Sequence, residues 1–178
     1  MPKVSQEHLD ARRQQIVDAA RVRFASHGFA RTSMSDLVEA SGLSVGAIYR
    51  YFTGKDELVA AICEEGEQAF PTELTADALA AFLDHVRALA RDHGHARLVA
   101  QIYAEAAVSP ELAAVVGGQL ASLRAAVVAL LPERTPEDAA RIAEAFVAIG
   151  SGYNLQLAVR GDLDPTPFLA ALRVVVDS

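Results

Sequence analysis

The stretch that decides the fold is residues 28–58, GFARTSMSDLVEASGLSVGAIYRYFTGKDEL. Its first half predicts a short helix over 33–40, which opens with the serine-to-aspartate spacing of a capping box. Residues 41–44, SGLS, form a tight-turn pattern in which glycine relieves backbone strain. Residues 45–52 predict a second short helix. Two short helices joined by such a turn are typical of a helix-turn-helix, whose second helix can enter the major groove of DNA, although a plain helical hairpin explains the spacing equally well.

The helical pattern continues on both sides of this stretch. Residues 14–24 form a helix whose apolar side ends at Phe24, and Gly28 is suited to the left-handed conformation that closes such a helix. On the other side, Thr53-Gly54-Lys55-Asp56 interrupts the second short helix and starts another one. The sequence therefore predicts four short helices before Pro71.

Five longer helices are predicted after Pro71, because apolar residues recur there at helical spacing. Hydroxyl or carboxylate side chains followed by proline mark three of their starts, at Ser109-Pro110, Thr135-Pro136 and Asp164-Pro165. The predicted helices lie near 75–91, 95–107, 110–131, 136–160 and 165–177. The expected fold class is all-α, with about nine helices.

The charge of the chain is unevenly distributed. The 178 residues carry a formal net charge of −7, which taken alone argues against a nucleic-acid binder. However, residues 1–55 hold eight Lys and Arg against five Asp and Glu, a net +3, whereas residues 56–178 hold eight against eighteen, a net −10. The basic part coincides with the helix-turn-helix pattern, so the overall acidity does not exclude DNA as a partner.

Composition also bears on the compartment. Cys63 is the one cysteine, which excludes an intrachain disulfide and fits a reducing environment. The first residues lack the apolar stretch of a signal peptide. No apolar run approaches the roughly 18 residues of a membrane helix. We therefore expect a cytoplasmic protein without a membrane partner.

The N-terminal residues show a further, more specific pattern of type and order. They are Arg13, Ile16, Ala19-Ala20, Phe24, Gly28-Phe29, Thr32-Ser33, Gly42-Leu43-Ser44, Gly46, Ile48-Tyr49-Arg50-Tyr51-Phe52 and Gly54-Lys55-Asp56-Glu57-Leu58. Over roughly residues 12–60 this order resembles the DNA-binding domain of the TetR family of transcriptional regulators. Residues 103–105, followed by 109–112, look like one C-terminal subgroup of that family. The resemblance implies a three-helix helix-turn-helix domain, which we place at 1–55, and a helical ligand-binding and dimerisation domain at 56–178.

Residues at the start of each short helix are candidates for DNA contact. Lys55 lies at a helix N-terminus, where the helix dipole disfavours a cation and a bound phosphate would offset the mismatch. Thr32 and Ser33 are suited to bind a phosphate through hydroxyls, although helix capping explains both equally well. The full predicted set is Arg31, Thr32, Ser33, Ser44, Val45, Gly46, Ala47, Tyr49, Arg50, Tyr51 and Lys55.

The predicted reading face is poor in polar side chains. Val45 and Ala47 are suited to touch thymine methyl groups, and Arg50 can reach a base edge or a phosphate unless it forms a surface salt bridge. The family resemblance implies that Tyr49 and Tyr51 face the DNA backbone. The alternative is that one of the two tyrosines packs in the small N-terminal core.

The C-terminal region offers ligand and dimer candidates by resemblance to the family. Aromatic residues on apolar faces, together with polar residues that interrupt those faces, predict a ligand pocket at Phe82, His85, Tyr103, Phe146, Tyr153 and Asn154. An apolar face on the last helix, with a mid-helix glycine before it, predicts a dimer interface at Gly150, Phe168, Leu169, Leu172 and Val176. Ordinary core packing explains the aromatic residues as well, and a terminal helix packed within the chain explains the apolar face.

Catalytic patterns are absent from the sequence. His93 and His95 are a close histidine pair without the further ligands of a zinc site, and nothing in the spacing pairs Cys63 with a histidine. No metal, cofactor or enzymatic activity is predicted.

The expected function is a ligand-responsive regulator, most simply a repressor, that binds a palindromic double-stranded DNA operator as a homodimer and leaves it when a small-molecule effector binds. The alternative is a helical small-molecule-binding or enzymatic protein that does not touch DNA.

Overall fold

The computed structural model describes residues 6–68 and 70–178, with side chains for all of these except 65–68 and 93. This part of the chain folds into nine helices and contains no strand, which confirms the all-α prediction. The helices are α1 (Gln6–His27), α2 (Met34–Ser41), α3 (Val45–Tyr49), α4 (Lys55–Gln68), α5 (Ala76–His93), α6 (His95–Ala106), α7 (Pro110–Ala129), α8 (Pro136–Arg160) and α9 (Thr166–Asp177).

Local capping defines the ends of the short helices. Ser33 caps α2 in a complete capping box with Asp36, and α2 ends at Ser41, after which Gly42 adopts the left-handed conformation. The hydroxyl of Ser44 accepts the backbone N–H of Ala47 and so caps α3. Two lengths differ from the prediction. Helix α1 begins eight residues earlier than the predicted Gln14, and α3 ends at Tyr49, where the chain passes into a hydrogen-bonded turn.

The N-terminal helices share one hydrophobic core with parts of the C-terminal region. Ile16, Phe24, Leu37 and Ile48 are fully buried in it, and the Phe24 and Phe29 rings lie 5.1 Å apart. The core extends through α4 and takes in residues of α6 and α7, namely Leu58, Val59, Ala61, Ile62, Leu98, Ile102, Leu112 and Val116. Helices α1 and α4, which pack against α6 and α7, therefore connect the helix-turn-helix to the C-terminal region.

A second core lies among α5, α8 and α9. It includes Leu79, Ile142, Phe146, Tyr153 and Leu172, all of them buried. Helix α8 packs against α5, α6, α7 and α9 and so forms the centre of the C-terminal region. By length and composition, α7 and α8 are apolar enough to cross a membrane, contrary to the expectation from the sequence. Both nevertheless contribute core residues here, and such helices are also common inside soluble proteins.

Helix starts at proline follow the prediction, with one shift. Ser109 and Thr135 cap α7 and α8 through their hydroxyls. Helix α9 begins at Thr166 instead of at Pro165, and the Asp164 carboxylate accepts the Thr166 backbone N–H at 3.0 Å. Asp164 therefore still satisfies a free N–H at the helix start.

Gly94 joins α5 to α6 at a point where α1 comes close. Its φ is +63°, and a Cβ built there would lie 3.3 Å from the Cβ of Ala25. Gly42 has a similar φ of +66° with no atom within 4 Å of its Cβ position. We expect Gly42→Ala to lower the free energy of unfolding by about 1–2 kcal/mol through backbone strain alone. Gly94→Ala is expected to lose about 1 kcal/mol more, because the added methyl overpacks the contact with α1.

Urea unfolding of both variants measures this difference. Because Gly42→Ala introduces the same backbone strain without the contact, it is the matched control. Equal losses in the two variants would show that the approach of α1 to the α5–α6 junction is not tightly packed.

Candidate functional site

Helix α3 presents one exposed face and one buried anchor. Ile48 is fully buried in the first core, so the helix orientation is set by packing. Val45 and Tyr49 are 58% and 48% exposed, and Gly46 and Arg50 also lie on the surface. The result is a short, solvent-facing helix surface with one aromatic, one aliphatic and one cationic side chain.

The other tyrosine of this region has a different environment. Tyr51 is half-buried and packs against the first core. Of the two sequence alternatives for the tyrosine pair, the structure therefore places Tyr51 in the core packing and Tyr49 on the surface. Ala47 is also half-buried.

The hydroxyls at the start of α2 are occupied within the chain. Thr32 is 2% exposed, and its hydroxyl donates to the carbonyl oxygen of Gly28 at 2.8 Å. Both the backbone N–H and the hydroxyl of Ser33 donate to Asp36 Oδ2 at 2.7 Å. These bonds, the backbone one first, hold the pKa of Asp36 below its usual value, and Arg23 adds to the effect. Ser33 therefore caps α2, and the Thr32 hydroxyl closes the turn between α1 and α2.

Lys55 has an intramolecular role that the sequence did not indicate. Its Nζ donates to the carbonyl oxygen of Phe29 at 3.0 Å and lies 4.3 Å from the centre of the Phe29 ring. The lysine thus ties the start of α4 to the turn between α1 and α2. Arg31, in the same turn, is exposed, and its side chain lies over Gly28.

Gln101 is a contact that the sequence analysis missed. From α6, its Oε1 accepts the backbone N–H of Phe29 at 2.9 Å. The same turn therefore receives a hydrogen bond from Lys55 on one side and gives one to Gln101 on the other. No local pattern marks Gln101, because its partner is 72 residues away along the chain.

A cavity of about 100 Å³ lies among α5, α6, α7 and α8. It brings together five of the six residues predicted for a ligand pocket, namely Phe82, Tyr103, Phe146, Tyr153 and Asn154. Phe70, Gly150 and Ser151 also line it, with the aliphatic side chains of Leu83, Val86, Val99, Leu123 and Val147. His85 does not, and the prediction is corrected there. Because Phe82 and Val86 face inward on α5, His85 points to solvent.

Polar groups at the cavity are few and neutral. Asn154 Oδ1 is buried and has no hydrogen-bond partner. Burial raises the pKa of Tyr103, while a hydrogen bond with Ser151 acts in the opposite direction. Burial also raises the pKa of Tyr153, whose hydroxyl donates to the carbonyl oxygen of Leu163 at 3.4 Å.

The residues predicted for a dimer interface are largely used within one chain. Leu172 is 1% exposed, and Phe168 packs on Tyr153 with ring centres 4.7 Å apart. Leu169 and Val176 are half-buried against the same core, and Gly150 lines the cavity. For Leu172 the structure corrects the prediction, because α9 docks its apolar face onto α5 and α8 and buries this side chain.

Comparison with known proteins agrees with this arrangement. A family model described as bacterial regulatory proteins, tetR family, matches residues 16–62. A second, described as tetracyclin repressor-like, C-terminal domain, matches residues 71–178. The chain belongs to the TetR family.

The pair of His93 and His95 was considered as a metal site in the sequence. The side chain of His93 lies outside the described residues.

Individual relatives of this TetR-family chain match it over different lengths. An HTH-type transcriptional repressor of Mycobacterium tuberculosis is 48% identical over 65 residues, which cover 36% of this chain and 35% of that protein. The chain spans about a third of the length of the first curated relatives that it matches. The HTH-type transcriptional regulator BetI of Agrobacterium fabrum is 29% identical over 175 residues, covering 90% and 82% of the two chains.

Solved structures share the whole fold. GusR of Salmonella enterica has a TM-score of 0.75 and 25% identity, with 99% of this chain and all of that chain covered. The flavonoid-responsive regulator FrrA has a TM-score of 0.62 and 22% identity over 94% of each chain, which shows similarity of fold.

Proposed function

We propose that this TetR-family chain is a homodimeric repressor that leaves a palindromic operator when a small molecule occupies the cavity. The observation that carries the proposal is α3, with Ile48 buried beneath it, Val45 and Tyr49 exposed on it, and Arg50 exposed at its C-terminal end. A helix held this way can enter a major groove without rearranging the fold. Members of the family are transcription regulators that bind DNA operators and form dimers, and the family is not one of enzymes. Membership also supports a cytoplasmic location.

The proposed DNA contacts differ in kind. Tyr49 and Arg50 reach the DNA backbone or a base edge, and Val45 touches thymine methyl groups. Lys55 uses one donor inside the chain and keeps two further N–H groups for a phosphate. Both hydroxyls already bond within the chain, so Ser33 contributes by fixing the start of α2 and Thr32 by fixing the turn before it.

The proposed dimer surface lies on the outer faces of α8 and α9. Ala148, Gly152, Leu155 and Val159 recur at helical spacing on α8, and Val159 is 80% exposed. Val174 on α9 is 71% exposed. Apart from its chain neighbours and the backbone of α8 itself, no described atom lies within 4 Å of the Gly152 Cβ position, which leaves room for a second helix to approach closely. An exposed apolar surface of this kind is typical of a protein interface.

The proposed response runs through α6. Val99 and Tyr103 line the cavity, while Gln101 bonds the turn that precedes α2. A ligand that shifts α6 therefore shifts the turn between α1 and α2, and with it the position of the helix-turn-helix relative to the C-terminal helices. It can displace the operator equilibrium only by its difference in affinity for the two arrangements.

A salt series of fluorescence anisotropy measurements tests the proposal. The full-length protein is titrated with duplexes from the region upstream of its own gene and with scrambled duplexes. We expect specific binding whose affinity falls steeply with salt, because phosphate contacts release counterions. Negligible affinity for every duplex at low salt would contradict the proposal and favour a helical small-molecule-binding protein without DNA binding.

The Gln101 bond provides a second test within this proposal. Gln101→Leu leaves the Phe29 N–H without its acceptor, so we expect its hydrogen exchange to accelerate at least about tenfold and operator affinity to fall several-fold. Gln101→Glu keeps an acceptor oxygen and should retain most of the protection. Equal exchange in the wild type and Gln101→Leu would show that this bond does not hold the turn.

A further inference from the structure

We propose that the cavity binds a neutral single-ring molecule bearing one hydroxyl or N–H donor, of the phenol class, and that Asn154 accepts its hydrogen bond. The inference rests on the proposed function only in taking this cavity as the effector site. It goes further by naming the chemistry of the effector and the residue that selects it.

The cavity walls fit the flat, apolar part of such a ligand. The Phe70 ring packs edge-on against Phe82 at 5.6 Å and against Phe146 at 5.8 Å between ring centres. The Tyr153 hydroxyl bonds to the carbonyl oxygen of Leu163, so Tyr153 contributes only its ring to the cavity wall. Aromatic rings favour edge-to-face and offset contacts with a further ring.

The absence of charge at the cavity excludes ionised ligands. None of its thirteen lining residues, all of which the structure describes, is Asp, Glu, Lys, Arg or His. A carboxylate or an amine bound here would lose its hydration without gaining an opposite charge. Tyr103 adds no charge at neutral pH, because a tyrosine is ordinarily protonated there and burial raises its pKa further.

Asn154 supplies the one orphaned polar atom of the site. Its Oδ1 is buried and unpartnered, although Asn154 lies on a helix whose other core residues are apolar. Buried acceptors in native structures nearly always have a donor. The residue lines the cavity, although the oxygen itself is covered, so the amide must turn toward the cavity for an O–H or N–H on the ligand to satisfy it, and an aprotic ligand leaves it unpaired.

The size of the cavity limits the ligand to one ring. An apolar cavity of roughly 150 Å³ holds one benzene molecule in another protein, so a volume of about 100 Å³ has no room for two rings, and a single ring enters with a small outward movement of the surrounding side chains. Gly150 contributes to this space, since no atom lies within 4 Å of its Cβ position. A glycine in mid-helix is unfavourable relative to alanine, and here it keeps the cavity open.

Isothermal titration calorimetry on the full-length protein without DNA tests the ligand class. The probes are phenol, toluene, benzoate and 2-naphthol. We expect phenol to bind about tenfold more tightly than toluene, as one added hydrogen bond predicts, and benzoate and 2-naphthol to bind more weakly than phenol. No phenol binding at millimolar concentration, equal affinity for toluene, or tighter binding of benzoate or 2-naphthol would each overturn the proposal.

Variants locate the effect. Asn154→Leu should abolish the preference of phenol over toluene, whereas Gln156→Leu, the same change at an exposed position on the same helix, should keep it. Gly150→Ala should weaken phenol binding at least about tenfold while retaining the fold. Gly118→Ala, at an exposed mid-helix glycine of α7, should leave phenol binding unchanged. An unchanged preference in Asn154→Leu, or unchanged phenol affinity in Gly150→Ala, would refute the assignment.

The same samples distinguish failure of the ligand class from failure of the proposed function. Operator binding is measured by anisotropy with and without phenol. If phenol binds with the expected selectivity and operator affinity does not change, the ligand class stands and the effector role fails. If phenol does not bind while the operator does, the ligand class fails and DNA binding stands.

Discussion

Tyr153→Ala is expected to lower the free energy of unfolding by about 3–5 kcal/mol, the range for a large aromatic residue removed from a core. Tyr153 is fully buried at the centre of the second core, where it packs on Phe168. Its hydroxyl also bonds the chain that leads into α9. Its loss therefore leaves a void and loosens the docking of α9, so we also expect the proposed dimer to weaken.

Two variants separate the contributions of ring and hydroxyl. Tyr153→Phe keeps the ring and removes a long hydrogen bond of 3.4 Å, so it should cost about 1 kcal/mol or less. Tyr103→Ala removes a tyrosine that lines the same cavity but is 36% exposed, so it should cost less than Tyr153→Ala, which removes a fully buried one.

Urea unfolding at one fixed protomer concentration measures these differences, because dimer stability depends on concentration. Size-exclusion chromatography reports the dimer. If Tyr153→Ala and Tyr103→Ala are equally destabilised, the second core does not depend on Tyr153 in the way its burial indicates.

Tyr49→Ala is expected to reduce operator affinity at least about 100-fold while leaving the free energy of unfolding within about 0.5 kcal/mol of the wild type. The side chain is half exposed on α3, so the fold does not depend on it. A homodimer loses the contact twice, and a hydrogen bond to a charged phosphate contributes about 1.5–3 kcal/mol. Tyr51 is unsuited to this test, because its removal also disturbs the core.

Salt dependence distinguishes the kinds of contact. Tyrosine is neutral and displaces no counterion, so Tyr49→Ala should keep the salt slope of binding, whereas Arg50→Ala should lower it by about two for a dimer if Arg50 contacts a phosphate. Val22→Ala, at an exposed apolar position of α1, is the control for both. Operator affinity for Tyr49→Ala equal to that for Val22→Ala would remove Tyr49 from the interface.

Local hydrogen bonding and periodicity account for what was predicted correctly. The capping box of Ser33 and Asp36, the turn at Gly42 and the cap at Ser44 each depend on residues within four positions. The apolar period of the longer helices likewise depends on the sequence within a few turns. Such features can be predicted from the sequence because the interacting groups are close along the chain.

The sequence predicted those cavity residues that lie on the apolar face of a helix. Phe82, Phe146 and Tyr153 lie on apolar stripes, and the structure brings those stripes to one cavity. His85 lies beside the stripe of α5, and only the angle at which α5 packs decides that it faces solvent. Leu172 shows the same limit, since an apolar face on α9 must be covered but its pattern does not say by what.

The sequence by itself determined the helical fold, the helix-turn-helix and the polarity of charge between the two parts of the chain. The tertiary structure decided which residues distant along the chain contact one another. It brought Lys55 Nζ to the carbonyl oxygen of Phe29 and Gln101 Oε1 to the Phe29 N–H, and it left Asn154 Oδ1 buried without a hydrogen-bond donor. The physical reason is distance along the chain. Caps and periodicity are settled within a helical turn, whereas these contacts join residues that meet only after the helices have packed.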